Sequence, residues 1–305
     1  MSLPPRPAPR RRSIPYAPQL EYRAPLRQPA VARFERRAVE TPDGLRLFAQ
    51  VGGNPGGPEI VFIHGFSQCH LAWRRQFADA ALAAKFRLVA YDLRGHGASD
   101  KPADPAHYRE DRLWADDLAA VIAGAGLRRP LLVAWSYAGR VVSDYVQCHG
   151  QAGIAGVNYV AAVTKSDRAF WGPELRHTAE MVSEDLTTNI RATRKFVQGC
   201  FGGRPVGDEL DLTFAYTMLV PAEVRAAVMN RTRATGEVLA ALRLPVLVTH
   251  GAMDRIILPA AGAYTAAAVP GARLSVYEGI GHSPFFEDAP RFNRELSELV
   301  RAANP

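Results

Sequence analysis

Three side chains that together perform nucleophilic catalysis stand in this 305-residue chain just after strand-like runs: Ser136, Asp254 and His282. Ser136 lies in Val133-Ala134-Trp135-Ser136-Tyr137-Ala138-Gly139, where an apolar run gives way to a helical pattern. A serine in such a turn is held in a strained conformation with its hydroxyl exposed above the sheet. The positions two before and two after it must be small, because strand and helix backbones approach closely there. Here they are Ala134 and Ala138, with Gly139 one step later, in place of the glycines of G-x-S-x-G. The same residues also allow a plainer role, in which Ser136 only caps the helix.

A serine hydroxyl needs a base, and a base with a pKa near working pH points to histidine. Of eight histidines, His282 is best placed, in Glu278-Gly279-Ile280-Gly281-His282-Ser283-Pro284, just past the last strand-like run. An acid must hold that imidazole in one tautomer. Asp254, in Thr249-His250-Gly251-Ala252-Met253-Asp254, follows the penultimate run and gives the chain order Ser, Asp, His; Asp167 is the rival. His250 reads as a brace for the Asp254 loop. A tetrahedral intermediate also needs two preorganised N–H donors. Tyr137 supplies one at a helix N-terminus, and Phe66, in His64-Gly65-Phe66 after the run Ile60–Ile63, supplies the other. His64 reads as an orienting residue of that loop.

The elements that must position these groups are legible as patterns. Segments near 32–40 and 45–51 flank Thr41-Pro42-Asp43-Gly44, which is turn chemistry for an antiparallel hairpin. Short continuous apolar runs then recur at 60–63, 86–91, 131–135, 156–163, 246–249 and 274–277. Runs apolar on both faces suit parallel strands buried between helix layers. Helical patterns lie between them at 70–84, 109–125, 137–149, 259–268 and 290–303. The expected class is α/β, a mostly parallel, doubly wound sheet. Residues 165–243 break the rhythm and read as several helices, including 173–199 and 221–242. They form a helical cap inserted between core segments 31–164 and 244–305. Phe214 and Tyr216 are the expected substrate wall in that cap.

The net charge of +7 belongs to one end. Residues 1–37 carry nine arginines against Glu21 and Glu35, and the rest of the chain is formally neutral. Residues 1–30 are rich in proline and arginine and read as a poorly ordered tail. Arg10-Arg11-Arg12 is followed by prolines rather than an apolar stretch, which argues against an export signal. No apolar run is long enough for a membrane helix. Three cysteines lack metal-ligand spacing and form no disulfide framework, so a reduced, cytoplasmic protein without a metal is expected, with no nucleic-acid or membrane partner.

Taken together, His64-Gly65-Phe66, Tyr91-Asp-Leu-Arg-Gly-His-Gly-Ala-Ser-Asp100, Ala134-Trp-Ser-Tyr-Ala138, Asp254 and Gly281-His282-Ser-Pro-Phe285 resemble the α/β-hydrolase family over residues 31–303. Within it the chain looks most like capped esterases and the cofactor-free haloperoxidases (perhydrolases). Relatives of this fold with an aspartate nucleophile are disfavoured by serine at 136. The resemblance implies no metal and no organic cofactor, and scaffold roles for Arg94 and His96. It leads to hydrolysis of a carboxylic ester with an apolar acyl or aryl group through an acyl-serine. Carbon–carbon bond hydrolysis, peracid formation and acyl transfer use the same triad and stay open, as does a ligand-binding member with little turnover.

Overall fold

A computed structural model describes residues 34–203, 207–231 and 236–304. The basic tail expected for residues 1–30 lies outside them. The Pro42-Asp43-Gly44 turn joins β1 (Glu35–Glu40) to β2 (Arg46–Gly53). Gly44 adopts φ 84°, and Thr41 N–H donates to the Leu45 carbonyl at 2.8 Å to close the turn. The remaining strands are β3 (Glu59–Ile63), β4 (Arg87–Tyr91), β5 (Leu131–Trp135), β6 (Gly156–Val160), β7 (Val246–Gly251) and β8 (Arg273–Tyr277). They form one eight-stranded sheet in the order β1-β2-β4-β3-β5-β6-β7-β8. β1 and β2 run antiparallel, and every pair from β4 to β8 is parallel.

Strand side chains alternate between faces. Val61, Ile63, Val89, Tyr91, Leu132 and Ala134 therefore enter one apolar cluster. Their neighbours Ile60, Phe62, Leu88, Ala90, Leu131 and Val133 enter the other. Each fully buried aliphatic side chain contributes roughly 1.5–3 kcal/mol, so continuous apolar runs are stable only with both faces covered. The helices of the amino-terminal half are α1 (Arg74–Phe77), α2 (Ala80–Lys85), α3 (Ala106–Arg109), α4 (Asp111–Gly124) and α5 (Ala138–His149). α6 (Leu186–Gly199), α7 (Asp208–Thr217) and α8 (Ala222–Met229) lie between β6 and β7; α9 (Pro259–Ala268), α10 (Pro284–Glu287) and α11 (Ala289–Ala303) follow. Trp114, Leu118 and Val121 of α4 and Val141 and Val142 of α5 cover one face. Phe292, Leu296 and Val300 of α11, at helical spacing, cover the other with Trp73 and Phe77.

Several expected boundaries shift for local reasons. The sixth strand stops at Val160, because Ala161 turns to φ 45°. The pattern at 70–84 divides where Asp79 caps α2 through Ala81 and Leu82 N–H. The pattern at 173–199 also divides: a 3-10 turn spans Pro173–Ala179, and α6 starts only after Asp185, whose carboxylate caps Thr187 and Thr188 N–H. Its counterpart at 221–242 resolves into α8 and a 3-10 turn at Glu237–Ala241, with residues 232–235 outside the described residues. α7 is a helix the pattern leaves unplaced. Among the described residues no single helix is long and apolar enough to cross a membrane.

Candidate active site

Ser136 links β5 to α5 at φ 55°, a left-handed conformation that costs a non-glycine residue roughly 1–3 kcal/mol. The surrounding sheet imposes it. Ser136 N–H donates to the Val160 carbonyl at 2.9 Å, and the Ser136 carbonyl accepts from Gly139 and Val163 N–H at 3.1 and 2.8 Å. Ala134 and Ala138 are fully buried on either side, so the small flanking residues meet the packing demand without glycine.

His282 follows β8 and is almost fully buried. Its carbonyl accepts from Trp135 Nε1–H at 2.9 Å, which ties the histidine loop to the residue before the serine. Glu287 accepts from Gly281 and Gly202 N–H and clamps the same loop. His282 Nδ1 meets Asp254 Oδ2 at 2.7 Å. The other carboxylate oxygen, Oδ1, accepts from Ile256 and Ile257 N–H at 2.8 and 3.0 Å. His250 Nε2 lies 3.1 Å from Asp254 Oδ2 and 2.9 Å from the Ile257 carbonyl, so it braces both the acid and its loop. Burial opposes the charge on Asp254, but His282 and His250 outweigh it and bring its pKa down to about 2. A side chain on Gly251 would overlap the Gly281 carbonyl, so the acid and histidine loops meet only because that residue is glycine.

Asp167 is elsewhere in the chemistry. It is part-exposed, accepts from Ala169 N–H at 3.1 Å and pairs with Lys165. The carboxylate facing His282 belongs to Asp254.

The loop after β3 passes close to the serine: a Cβ on Gly65 would sit 3.0 Å from Ser136 Cβ. Neither Phe66 N–H nor Tyr137 N–H donates to a described residue. The loop is held by two imidazoles. His64 Nδ1–H donates to the Gly65 carbonyl and its Nε2 accepts from Leu93 N–H. His96 Nε2 accepts from Ser67 N–H, at a serine with φ 57°, and Nδ1–H donates to the Arg94 carbonyl. Burial drives their pKa values down to about 4 and about 3, so both are neutral hinges at ordinary pH. Arg94, also buried, grips Asp117 with two 2.7 Å bonds.

Ser136 opens into a cavity of about 870 Å³. Phe66, Val163, Trp171, Leu175, Phe196 and Ile257 give it apolar walls, and Arg140, Arg176 and Arg231 also line it. Arg231 donates to the Tyr137 hydroxyl at 2.9 Å and to Asp144 and Asp111. The residues expected to form the substrate wall do not line this cavity. Phe214 is half-buried beneath the Arg194 guanidinium. Tyr216 is buried, with its hydroxyl on Thr213 Oγ1 at 3.3 Å, and lines a separate void of about 10 Å³. The wall comes instead from the turn after β6 and from α6 and α8. Apolar content alone does not separate a helix's packing face from a face turned to a cavity.

Cys69, His70 and Asp92 place three metal-type donor atoms within 4.8 Å of one another. Adjacent Cys-His with a remote aspartate carries no ligand spacing in sequence. Asp92 already accepts from His70 N–H, His70 Nδ1 and Ala98 N–H, and burial pushes the Cys69 thiol up, so the group fits a loop anchor better than a metal centre.

Residues 60–295 match the alpha/beta hydrolase family, and the chain belongs to it. It is 29% identical over 274 residues to the non-heme chloroperoxidase CPO-A1 of Kitasatospora aureofaciens, covering 85% of this chain and 98% of that one. A protein of Burkholderia cenocepacia assigned as an aryl esterase superimposes with TM-score 0.84 at 37% identity, over 88% of this chain and 99% of that one. The esterase RhEst1 of Rhodococcus sp. ECU1013 does so with TM-score 0.82 at 34% identity, over 88% and 99%.

Proposed function

We propose that the protein is a serine esterase that hydrolyses small carboxylic esters. The observation that carries the reading is the 2.7 Å Asp254–His282 pair, whose histidine shares the wall of a small cavity with Ser136 on its strained turn. His282 Nε2 takes the Ser136 proton as Oγ attacks the ester carbonyl. Phe66 and Tyr137 N–H hold the resulting oxyanion, and His282 returns the proton to the departing alcohol. Water then attacks the acyl carbon and gives a proton to His282; the C–Oγ bond breaks, His282 returns that proton to Ser136 Oγ, and the acid is released. Among the described residues Ser136 and His282 make no direct hydrogen bond; such contacts commonly tighten only when substrate binds. The helices between β6 and β7 serve as a cap, since they and the core together wall the 870 Å³ cavity. That volume suits a small ester with an apolar acyl or aryl body. A cytoplasmic site of action is part of the same proposal.

Rapid stoichiometric labelling of Ser136 by a fluorophosphonate, together with turnover of an aryl ester panel, is the test. No labelling and no turnover would remove the esterase reading. The relative named as a chloroperoxidase favours a second activity with the same residues, formation of a peracid from a carboxylic acid and peroxide. Halide-dependent halogenation in acetate and peroxide, lost in Ser136→Ala, would establish it.

A further inference from the structure

Gln68 lies two residues past Phe66 and is 98% buried by its 2% exposure. Its amide orientation is fixed by chemistry. Thr217 Oγ1 donates its only proton to the Thr213 carbonyl at 2.6 Å, so the Gln68 atom 3.1 Å from Thr217 Oγ1 must be the Nε2 donor. Oε1 is thereby committed as an acceptor, and it accepts from no described residue. Leaving a buried acceptor unpaired costs about 1–3 kcal/mol, so such an atom calls for a donor. Gln68 also lines a void of about 10 Å³ with Ser136, His282, Gly65 and Phe66. That is about the room one water needs.

We propose that Gln68 holds and orients the water that hydrolyses the acyl-enzyme; this rests on the serine esterase reading and deepens it. The attacking water carries two protons. One O–H points to Gln68 Oε1, which turns the other toward His282 Nε2 and a lone pair toward the acyl carbon. As the O–C bond forms, His282 takes that second proton and the carbonyl oxygen becomes the oxyanion. Collapse breaks the C–Oγ bond, and His282 passes its proton to Ser136 Oγ. The products are free serine and a carboxylic acid. The alcohol released in the first half-reaction has only one exchangeable proton at oxygen, and His282 supplies it, so it has no use for Oε1. Gln68 therefore acts on deacylation and not on acylation.

The test is Gln68→Met, which keeps length and volume but removes the acceptor, assayed on a p-nitrophenyl ester. Slower deacylation lowers kcat and KM together and leaves kcat/KM, which reports acylation, unchanged. The expected result is a 10- to 100-fold fall in kcat and KM with kcat/KM within about threefold. A burst of p-nitrophenol equal to the enzyme should accompany it. Partition of the acyl-enzyme toward added methanol over water should rise about tenfold, because methanol has a single O–H proton and gains nothing from Oε1. Thr217→Val, which frees the amide to rotate, should shift the partition in the same direction by a smaller factor, and it serves if Gln68→Met does not fold.

Unchanged partition in the folded variants overturns the proposal, as does an equal loss of kcat and kcat/KM with a lowered Tm, which marks a packing residue. A second void of about 10 Å³ also touches Gln68 but neither Ser136 nor His282. Crystallographic water on Oε1 found only there would overturn it too. If the parent protein forms no acyl-enzyme at all, the esterase reading fails first, and the two failures are distinct.

Discussion

Replacing Asp254 by asparagine should inactivate the protein through a proton placed on the wrong nitrogen. The carboxylate has two unlike sides. Oδ1 faces two backbone N–H groups, of Ile256 and Ile257, while Oδ2 faces His282 Nδ1 and His250 Nε2. An amide in this place has one oxygen and one NH₂. Turning NH₂ toward the two backbone donors sets N–H against N–H, with no tautomer to relieve it. The oxygen therefore stays at the Oδ1 position, and NH₂ faces the imidazoles. His282 can accept from it only through Nδ1, which moves its proton to Nε2 and removes the lone pair that Ser136 requires. A triad held in that tautomer loses on the order of 10⁴ in kcat, which corresponds to about 5 kcal/mol of barrier.

His250 meets the same conflict, and losing charge-assisted bonds to a buried carboxylate costs about 1.5–3 kcal/mol each. Tm should therefore fall as well, without abolishing folding. The assay is kcat on an aryl ester, the fluorophosphonate labelling rate, and thermal unfolding of Asp254→Asn beside Asp167→Asn. The labelling rate should fall in parallel with kcat, because both need the same deprotonated serine. Less than a tenfold loss in Asp254→Asn, or inactivation in Asp167→Asn instead, would refute the reasoning.

Ser136→Gly should abolish turnover yet raise stability by about 1 kcal/mol, since glycine adopts φ 55° without strain; Ser136→Ala, which keeps a Cβ, should show no such gain in a urea titration. Gly65→Ala should lower kcat by 10- to 1,000-fold, because the new Cβ, 3.0 Å from Ser136 Cβ, must push the Phe66 N–H from its place; steady-state kinetics at saturating ester reads it. Trp171→Ala or Phe196→Ala should alter the acyl-length profile of kcat/KM while Phe214→Ala leaves it unchanged, since only the first two line the cavity. Buried His64 and His96 should contribute stability that is lost as pH drops from about 6.5 to about 4. The folded pKa values of His64 and His96, about 4 and about 3, lie below the unfolded value, so only the unfolded chain takes up those protons in that window. The two imidazoles contribute a slope approaching two protons, about 3 kcal/mol per pH unit, which Asp117 and Asp144, raised to about 6 by burial, oppose by taking up protons in the folded state; His96→Gln should therefore remove about half of the imidazole share, and a pH dependence of unfolding unchanged in that variant would contradict it.

The sheet and the three candidate triad positions were legible because both rest on local chemistry. A strand buried on both faces must be apolar throughout, and Ile60–Ile63 and Leu131–Trp135 could hardly read otherwise. Ser136, Asp254 and His282 each follow such a run, and the order of runs places them at one edge. The brace role of His250 and the scaffold roles of His64 and His96 were legible for the same reason. The cavity wall was not. Phe214 and Phe196 are both aromatic residues on amphipathic helices, yet Phe196 faces Phe66 at 6.1 Å between ring centres and Phe214 lies under Arg194. Which way a helix face turns depends on how three helices pack on one another. Arg231, 94 residues from the Tyr137 hydroxyl it holds, carries no local signal at all.

The site also shows how one residue type is made to do different work by burial and by what is bonded to each ring nitrogen. His64 and His96 are surrounded by backbone groups that use one nitrogen as donor and the other as acceptor, so each ring is satisfied only when neutral. Protonation would turn the Leu93 and Ser67 N–H bonds into donor–donor contacts and release the loop that carries Phe66. His282 is different: one nitrogen is committed to Asp254, while the other borders a void shared with Ser136 and Gln68. Among the described residues nothing bonds that second nitrogen, and a carboxylate lies across the ring. The fold thus makes protonation costly at the imidazoles that hold the loop carrying Phe66, and it leaves one ring nitrogen open on the imidazole that lines a void with Ser136.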